Sequence, residues 1–386
     1  MRAKHNQFYL PQEERYGEFF TACAVDFRNI ALAIDENPPL IKHHFDLPGI
    51  QFLMSDTNST ALERTKYFEA LSYGDPGVVL ASPGPSLSGL MLRELGTPEQ
   101  IDAFYSMIKK HPMRTFFALT EPNKGSDANN IETRLIRNGK NYFLNGFKCF
   151  FGNAAVAETG VVLAKLNDSP VGIRAVWLTP EIMLNSTVHR ISLPMAALRG
   201  AQIGAMQFNH LEIPEACILG LNRSACETGM LSILKVFNRL RTGVGALAIG
   251  QAQAVLDIVF QLNQNKFNSN KSLFFAMYEE LSIARLLLEK AARGVECNAY
   301  LFSDVSSSKI IATRSAEKVI SACLDLCSFS ELIENPWIVK SYRDVFCWEY
   351  MEGTTAIQKI QIQKKLTNFI KQRREQYESL SLSFAA

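Results

Sequence analysis

Phe117-Ala118-Leu119-Thr120-Glu121-Pro122-Asn123-Lys124-Gly125-Ser126-Asp127 is the stretch at which this chain changes its pattern. Upstream of it apolar residues recur at helical spacing; downstream, short apolar runs alternate with turn residues. A strand that begins near Phe116 ends at Thr120, because Pro122 fixes the backbone and Gly125 permits a tight turn that exposes hydroxyls and amides. A loop of this kind suits a planar heteroaromatic ring or a phosphate; a capped turn between two elements is the alternative.

Working outward, residues 11–110 read as mostly helical. Leu87 through Leu95 forms one helix, and Gly96-Thr97-Pro98 stops it and starts the next, with Thr97 as N-cap and Pro98 at the first position. Ile101, Phe104, Tyr105 and Ile108 then share a helical face. Seven strands are expected over 116–119, 131–136, 142–144, 160–164, 173–178, 187–193 and 204–208, with Asn138-Gly139 as a hairpin turn. From Ser224 helices return: Leu231, Leu234, Asn238 and Arg241 share a face of one that runs past Gly250, and Leu281, Ala284, Leu288 and Ala292 mark another. The expected class is α+β, with an N-terminal helical domain (1–112), a central β-barrel-like domain (113–222) and a C-terminal helical bundle (223–386).

At 386 residues, 47% hydrophobic and 20% charged, the composition is that of an ordinary globular protein. A net charge of +2 gives no reason to expect nucleic acid as a partner. No run of 18 apolar residues suggests a membrane span, and the N-terminus lacks the apolar core of a signal peptide. Eight scattered cysteines fit reduced, buried thiols of a cytoplasmic protein. Cys323 and Cys327 share a helix face without further ligands nearby, so they are read as core and not as a metal site.

Three further stretches carry candidate chemistry. Tyr142 through Ala154 contains Asn145-Gly146, read as a second turn, followed by Phe150, Phe151 and Gly152. Arg241, in Phe237-Asn238-Arg239-Leu240-Arg241, is either a buried partner for a carboxylate or a solvated helix charge. Tyr350-Met351-Glu352-Gly353-Thr354-Thr355 places one acidic residue at a glycine break before a basic helix; Trp348, Tyr350 and Met351 give it apolar neighbours that would raise its basicity. The alternatives are a surface glutamate at a helix start and, for Thr354, an N-cap.

The Phe117–Asp127 and Tyr350–Gln358 stretches, in this order and at this separation, resemble the acyl-CoA dehydrogenases. The resemblance implies a flavoenzyme that binds FAD and oxidises an acyl thioester of CoA or of an acyl carrier protein at the α,β position. It implies Glu352 as catalytic base, with Arg241 beside the catalytic region. Phe117 and Thr120 would lie against the flavin ring, Ser126 near flavin or substrate, and Phe150 at an aromatic position against the ring. Gly152 stands where the family commonly has a hydroxyl residue, and Thr354 where a hydroxyl or amide meets the cofactor. Family members are usually homo-oligomers. The chain departs from the pattern at 261–268, which lacks an Arg and a Phe-Gly pair, and at 322–330, which lacks a glycine-rich run; both serve the adenosine-diphosphate half of FAD. A redox-silent homologue that performs proton transfer on an acyl thioester, or only binds one, is the alternative. The basic residues Lys359, Lys364, Lys365, Lys371, Arg373 and Arg374 suit docking of an acidic carrier protein, or form a solvated helix face.

Overall fold

The computed structural model describes residues 13–169, 171–264, 267–297 and 302–384. Seven helices come first: α1 (Glu13–Tyr16), α2 (Glu18–Glu36), α3 (Pro48–Ser55), α4 (Ala61–Gly74), α5 (Pro76–Ala81), α6 (Ser86–Leu95) and α7 (Pro98–Lys110). As expected, Thr97 caps α7: its hydroxyl accepts from the Gln100 amide while the Gln100 side chain accepts from the Thr97 amide.

Seven strands follow: β1 (Thr115–Ala118), β2 (Arg134–Asn138), β3 (Asn141–Phe151), β4 (Thr159–Lys165), β5 (Ile173–Leu178), β6 (Val188–Ser192) and β7 (Gly204–Pro214), with the one-turn α8 (Pro180–Met183) before β6. They form one curled, half-barrel sheet in the order β1-β4-β2-β3-β7-β6, with β5 also paired to β4. Alternation along β4 splits its side chains between two cores. Val162 and Ala164 join Phe116, Leu144 and Phe208 on one face, while Val161 and Leu163 join Trp177 and the helices α6 and α7 on the other. Asn138 and Asn141 pair across the expected hairpin.

Asn145-Gly146 is not a turn. It lies inside the continuous strand β3, where the register against β7 shifts between Leu144 and Gly146. Gly146 has φ 155°, and a Cβ there would fall 2.4 Å from Thr133 Oγ1, so glycine permits the bulge and the close approach of the chain leading into β2.

The last segment comprises α9 (Ala225–Thr228), α10 (Met230–Leu262), α11 (Phe267–Cys297), α12 (Phe302–Asp325), α13 (Phe329–Glu334), α14 (Pro336–Val345) and α15 (Thr355–Phe384). Helix α10 is long and apolar enough to cross a membrane, but it is the central helix of the bundle and its apolar window is 94% buried. The N- and C-terminal helices share one core, in which Phe27, Tyr67 and Leu71 pack with Ala248, Val255, Leu288 and Val319. Cys323 belongs to this core, and Cys327 Sγ lies 3.3 Å from its carbonyl oxygen.

One buried charge cluster joins all three segments. Lys340 Nζ on α14 donates to Asp75 at 2.6 Å and to Asp344 at 2.7 Å, with none of the three side chains more than 3% exposed. Asp75 caps α5 through the Val78 amide and accepts from Trp337 Nε1; Asp344 accepts from the Leu198 amide in the loop between β6 and β7. Lys340→Met leaves two carboxylates facing each other without a counter-charge. It is expected to cost about 3–5 kcal/mol in urea unfolding followed by circular dichroism, whereas an exposed control such as Lys359→Met is expected to be neutral.

Candidate active site

Glu352 sits in the turn between the 3₁₀ segment Phe346–Glu349 and α15, with φ 50°, followed by Gly353 with φ 100°. A glutamate in the left-handed region costs roughly 1–2 kcal/mol, so the turn must be held from outside. Three elements do so. Arg241 Nε on α10 donates to the Glu352 carbonyl at 2.9 Å. Gln358 Nε2 on α15 donates to the same carbonyl at 3.1 Å and to that of Gly353 at 3.2 Å. Lys309 Nζ on α12 donates to the Gly353 and Glu349 carbonyls at 2.8 and 3.1 Å. Behind them Arg241 Nη1 is bound by Asn238 Oδ1 and Gln361 Oε1, and Ser306 Oγ lies 2.6 Å from Gln358 Oε1.

Arg241 is thus buried as one reading of the sequence required, but it makes no ion pair with a carboxylate within 4.0 Å among the described residues; its guanidinium holds backbone. The Glu352 side chain is left to its environment. Its Oε2 is buried and has no hydrogen-bond partner. Burial raises the Glu352 carboxyl above the ordinary range, against the opposing charges of Lys309 and Arg241. Burial also lowers Lys309 to about 8, against the pull of Glu352 and Glu349, and lowers Arg241 to about 10, against that of Glu352. The result is a carboxylate poised for proton transfer beside two cations that limit how far its basicity rises. Trp348 is fully buried and bonds Gln251 on α10, whereas Tyr350 is 73% exposed and gives Glu352 no apolar wall, contrary to expectation. Thr354 behaves as the N-cap of α15: its Oγ1 accepts from the Ile357 amide at 3.4 Å.

The upstream stretch reaches the same helix. The Phe117 ring meets Phe237 edge-on at 5.8 Å, and the Arg241 guanidinium lies 5.7 Å from the Phe237 ring centre, so β1 and the Glu352 turn are linked through α10. Thr120 is half-buried, with its carbonyl accepting from the Cys149 amide. Glu121, beside it, is the anchor of the loop. Its carboxylate accepts from the Glu132 and Thr133 amides, the Thr133 hydroxyl and the buried Lys148, whose Nζ also reaches the Leu119 carbonyl. Burial lowers Lys148 to about 8 although Glu121 opposes this. Ser126 is exposed on the loop beyond and is not brought against Glu352 by any described contact.

Lys148 leads along β3 to Phe150, which combines φ 58° with 62% exposure, at a second register shift between Cys149 and Phe151. An aromatic side chain held in a strained backbone and turned to the open is suited to stack on a planar ligand. At Gly152 an added Cβ would meet only the Ala201 carbonyl, at 3.6 Å, so the position has room. Two buried polar atoms nearby lack partners, Asn153 Oδ1 and Gln202 Nε2, and the Asn153 amide donates to Ala201 O. An exposed ring, an open position and orphaned polar atoms at one end of β3 fit the isoalloxazine of FAD.

The chain matches the family models for the acyl-CoA dehydrogenase middle domain over residues 116–211 and the acyl-CoA dehydrogenase C-terminal domain over residues 227–367. The chain belongs to the acyl-CoA dehydrogenase family. It is 28% identical to a probable acyl-CoA dehydrogenase of Bacillus subtilis over 326 residues, covering 81% of this chain and 83% of that one. It is 28% identical to a 3-(aryl)acrylate reductase of Clostridium sporogenes over 307 residues, covering 76% and 79%. The FAD complex of PigA has the same fold, with a TM-score of 0.80 at 20% identity over 94% of this chain and 99% of that one.

Against the acyl-CoA dehydrogenase pattern, the two departing segments differ in what they show. Asn265 and Lys266, in the connection between α10 and α11, lie outside the described residues. At 322–330, α12 continues to Asp325 where the family has its glycine-rich run; Cys323 is packed in the core and Phe329 is 80% exposed. Lys309 is the residue that reading the sequence missed. Its signal was present: Val305, Lys309, Ala312, Ala316, Val319 and Cys323 follow one helical face, and five of the six are small or apolar core residues. Lys309→Met removes a charge that holds the Glu352 carboxyl down. The midpoint for substrate-driven flavin reduction is expected to move upward by about 1–3 pH units, measured by stopped-flow absorbance from pH 5 to 9; an unchanged midpoint would show that Lys309 holds the turn without tuning the acid.

Proposed function

We propose that the protein is an FAD-dependent dehydrogenase that introduces a double bond between Cα and Cβ of an acyl thioester. Glu352 takes the proton from Cα as the Cβ hydrogen leaves with its electron pair. The observation that carries this reading is the Glu352 carboxylate, raised in basicity by burial and with one oxygen free of partners, on a turn clamped by Arg241, Lys309 and Gln358. Arg241 is a positioning residue, acting through the Glu352 backbone. Bound FAD supplies the hydride acceptor. Phe150 and Phe117 would flank its ring, with Thr120, Gly152 and Thr354 lining the cofactor site and Ser126 at its edge; the exposure and positive φ of Phe150 and the room at Gly152 support this placement. Glu352→Gln is expected to keep the flavin and lower its rate of reduction by saturated acyl thioesters about 10²- to 10⁴-fold. Retention of the wild-type rate would remove Glu352 as the base.

The thioester carrier is CoA or an acyl carrier protein, and we favour the carrier protein. Helix α15 exposes Lys359, Lys364, Lys371 and Arg373, while Lys365 is occupied by Ser303 and Asp304; the side chain of Arg374 lies outside the described residues. A basic helix face attracts an acidic partner by long-range charge. Turnover of carrier-bound substrate is expected to fall steeply between 50 and 500 mM NaCl (roughly, from a Debye length of 14 to 4 Å) while turnover of the CoA thioester stays level. Equal salt dependence would return the choice to CoA.

A cytoplasmic homo-oligomer completes the reading. Free thiols at Cys23, Cys149, Cys217 and Cys323 fit a reducing compartment, and Phe275, Ile283 and Leu286 leave apolar surface exposed along α11. The three-part division at 112 and 222 follows the change from helix to sheet and back.

A further inference from the structure

A cavity of about 260 Å³ lies between the loop before α4, the turn before α6 and the α10 wall at Arg239 and Leu240. It extends to Thr115 and Asn153, next to the two β segments assigned above to the cofactor, and Leu240 adjoins Arg241. The recess thus shares the α10 wall with Arg241, which holds the Glu352 turn, and its size suits a short acyl group rather than a long one.

The wall is not that of an apolar chain pocket, because three guanidinium groups face it: Arg64, Arg93 and Arg239. Two have carboxylate partners. Arg239 Nη1 is 3.3 Å from Glu94, and Arg64 Nη2 is 3.8 Å from Asp56 while donating to the Ser59 carbonyl. The wall carboxylates are themselves occupied: Asp56 accepts from the hydroxyls of Tyr67 and Ser59, and Glu296 accepts from the Ala61 amide. Arg93 differs. Its Nε donates to Tyr105 Oη at 3.0 Å and its guanidinium lies over the Tyr105 ring at 4.5 Å, but no described carboxylate comes within 4.0 Å of it. The stacked, half-buried guanidinium therefore lines the cavity with no described carboxylate beside it, and a guanidinium is the group that binds a carboxylate by paired hydrogen bonds. An acyl chain ending in a methyl group would desolvate this cation and return no hydrogen bond.

We propose that the acyl group taken by this site ends in a carboxylate, held by Arg93. The inference rests on the acyl-thioester reading, and the probes carry pantetheine, the arm common to CoA and acyl carrier protein. Pentanoyl-pantetheine and glutaryl-pantetheine, equal in acyl carbon number, are titrated calorimetrically into the FAD-loaded protein, with the flavin absorbance followed on the same samples. The wild type is expected to bind the glutaryl thioester about 10- to 100-fold more tightly. Arg93→Met abolishes the preference and raises pentanoyl affinity, because no cation is left to desolvate; Arg93→Lys retains part of the preference. Equal binding of the two thioesters by the wild type, or a preference that survives Arg93→Met, overturns the assignment. A preference without flavin bleaching upholds it and overturns the dehydrogenase reading, and bleaching by both thioesters without preference does the reverse.

Discussion

The Glu352 turn is anchored upstream by the lysine buried between Asp75 and Asp344, which fixes the helix that leads into it. Those three charges cannot be separated without leaving at least one unpaired in the interior, so the start of α5, the whole of α14 and the loop at Leu198 behave as one rigid joint. Helix α14 runs directly into the 3₁₀ turn that carries Trp348, whose Nε1 is bound by Gln251 Oε1 on α10. The Glu352 turn thus inherits its place from a charge cluster several residues upstream and from α10, the longest helix among the described residues. The same helix meets Phe117 from the sheet.

Buried cations are used in two ways around this frame. Lys340 neutralises carboxylates, and Lys148 does the same for Glu121 while also tying strand β3 to the end of β1. Arg241 and Lys309 are spent on carbonyl oxygens, so their charge is felt by Glu352 without a hydrogen bond that would fix its proton. The distinction separates cations that neutralise a carboxylate directly from those that act on the Glu352 carboxyl only through charge. A direct ion pair to Glu352 would hold it ionised and poorly basic; a cation one step removed compensates for burial and leaves the carboxylate reactive.

Much of this could be read in the chain beforehand, where local chemistry decides. Thr97-Pro98, Asn138-Gly139 and the alternation along 160–164 specify their own structure, and all seven strands lie where their apolar runs predict. Glu352 and Phe117 could be paired because each stands in a distinctive context. The failures share a cause. Asn145-Gly146 has the composition of a hairpin turn, but it lies within β3 at a register shift, against Thr133 in the chain leading into β2. The outward turn of Tyr350, the burial of Lys309 and the sharing of one core by the first and last helices are set by partners tens to hundreds of residues away, which local pattern does not encode.

That shared core has a consequence for how the protein is made. On the ribosome, Tyr67, Ala70 and Leu71 emerge long before the α10 residues that cover them, with Gly250 so close to α4 that an added Cβ would strike the Glu69 carbonyl. At elongation rates of about 5–20 residues per second the roughly 180 intervening residues take about 10–40 s to appear. The nascent helical hairpins must wait through that interval with apolar faces uncovered, while the sheet between them completes its own core and folds first. A truncation anywhere before α10 would therefore leave the apolar faces of α2 and α4 without the helix that covers them.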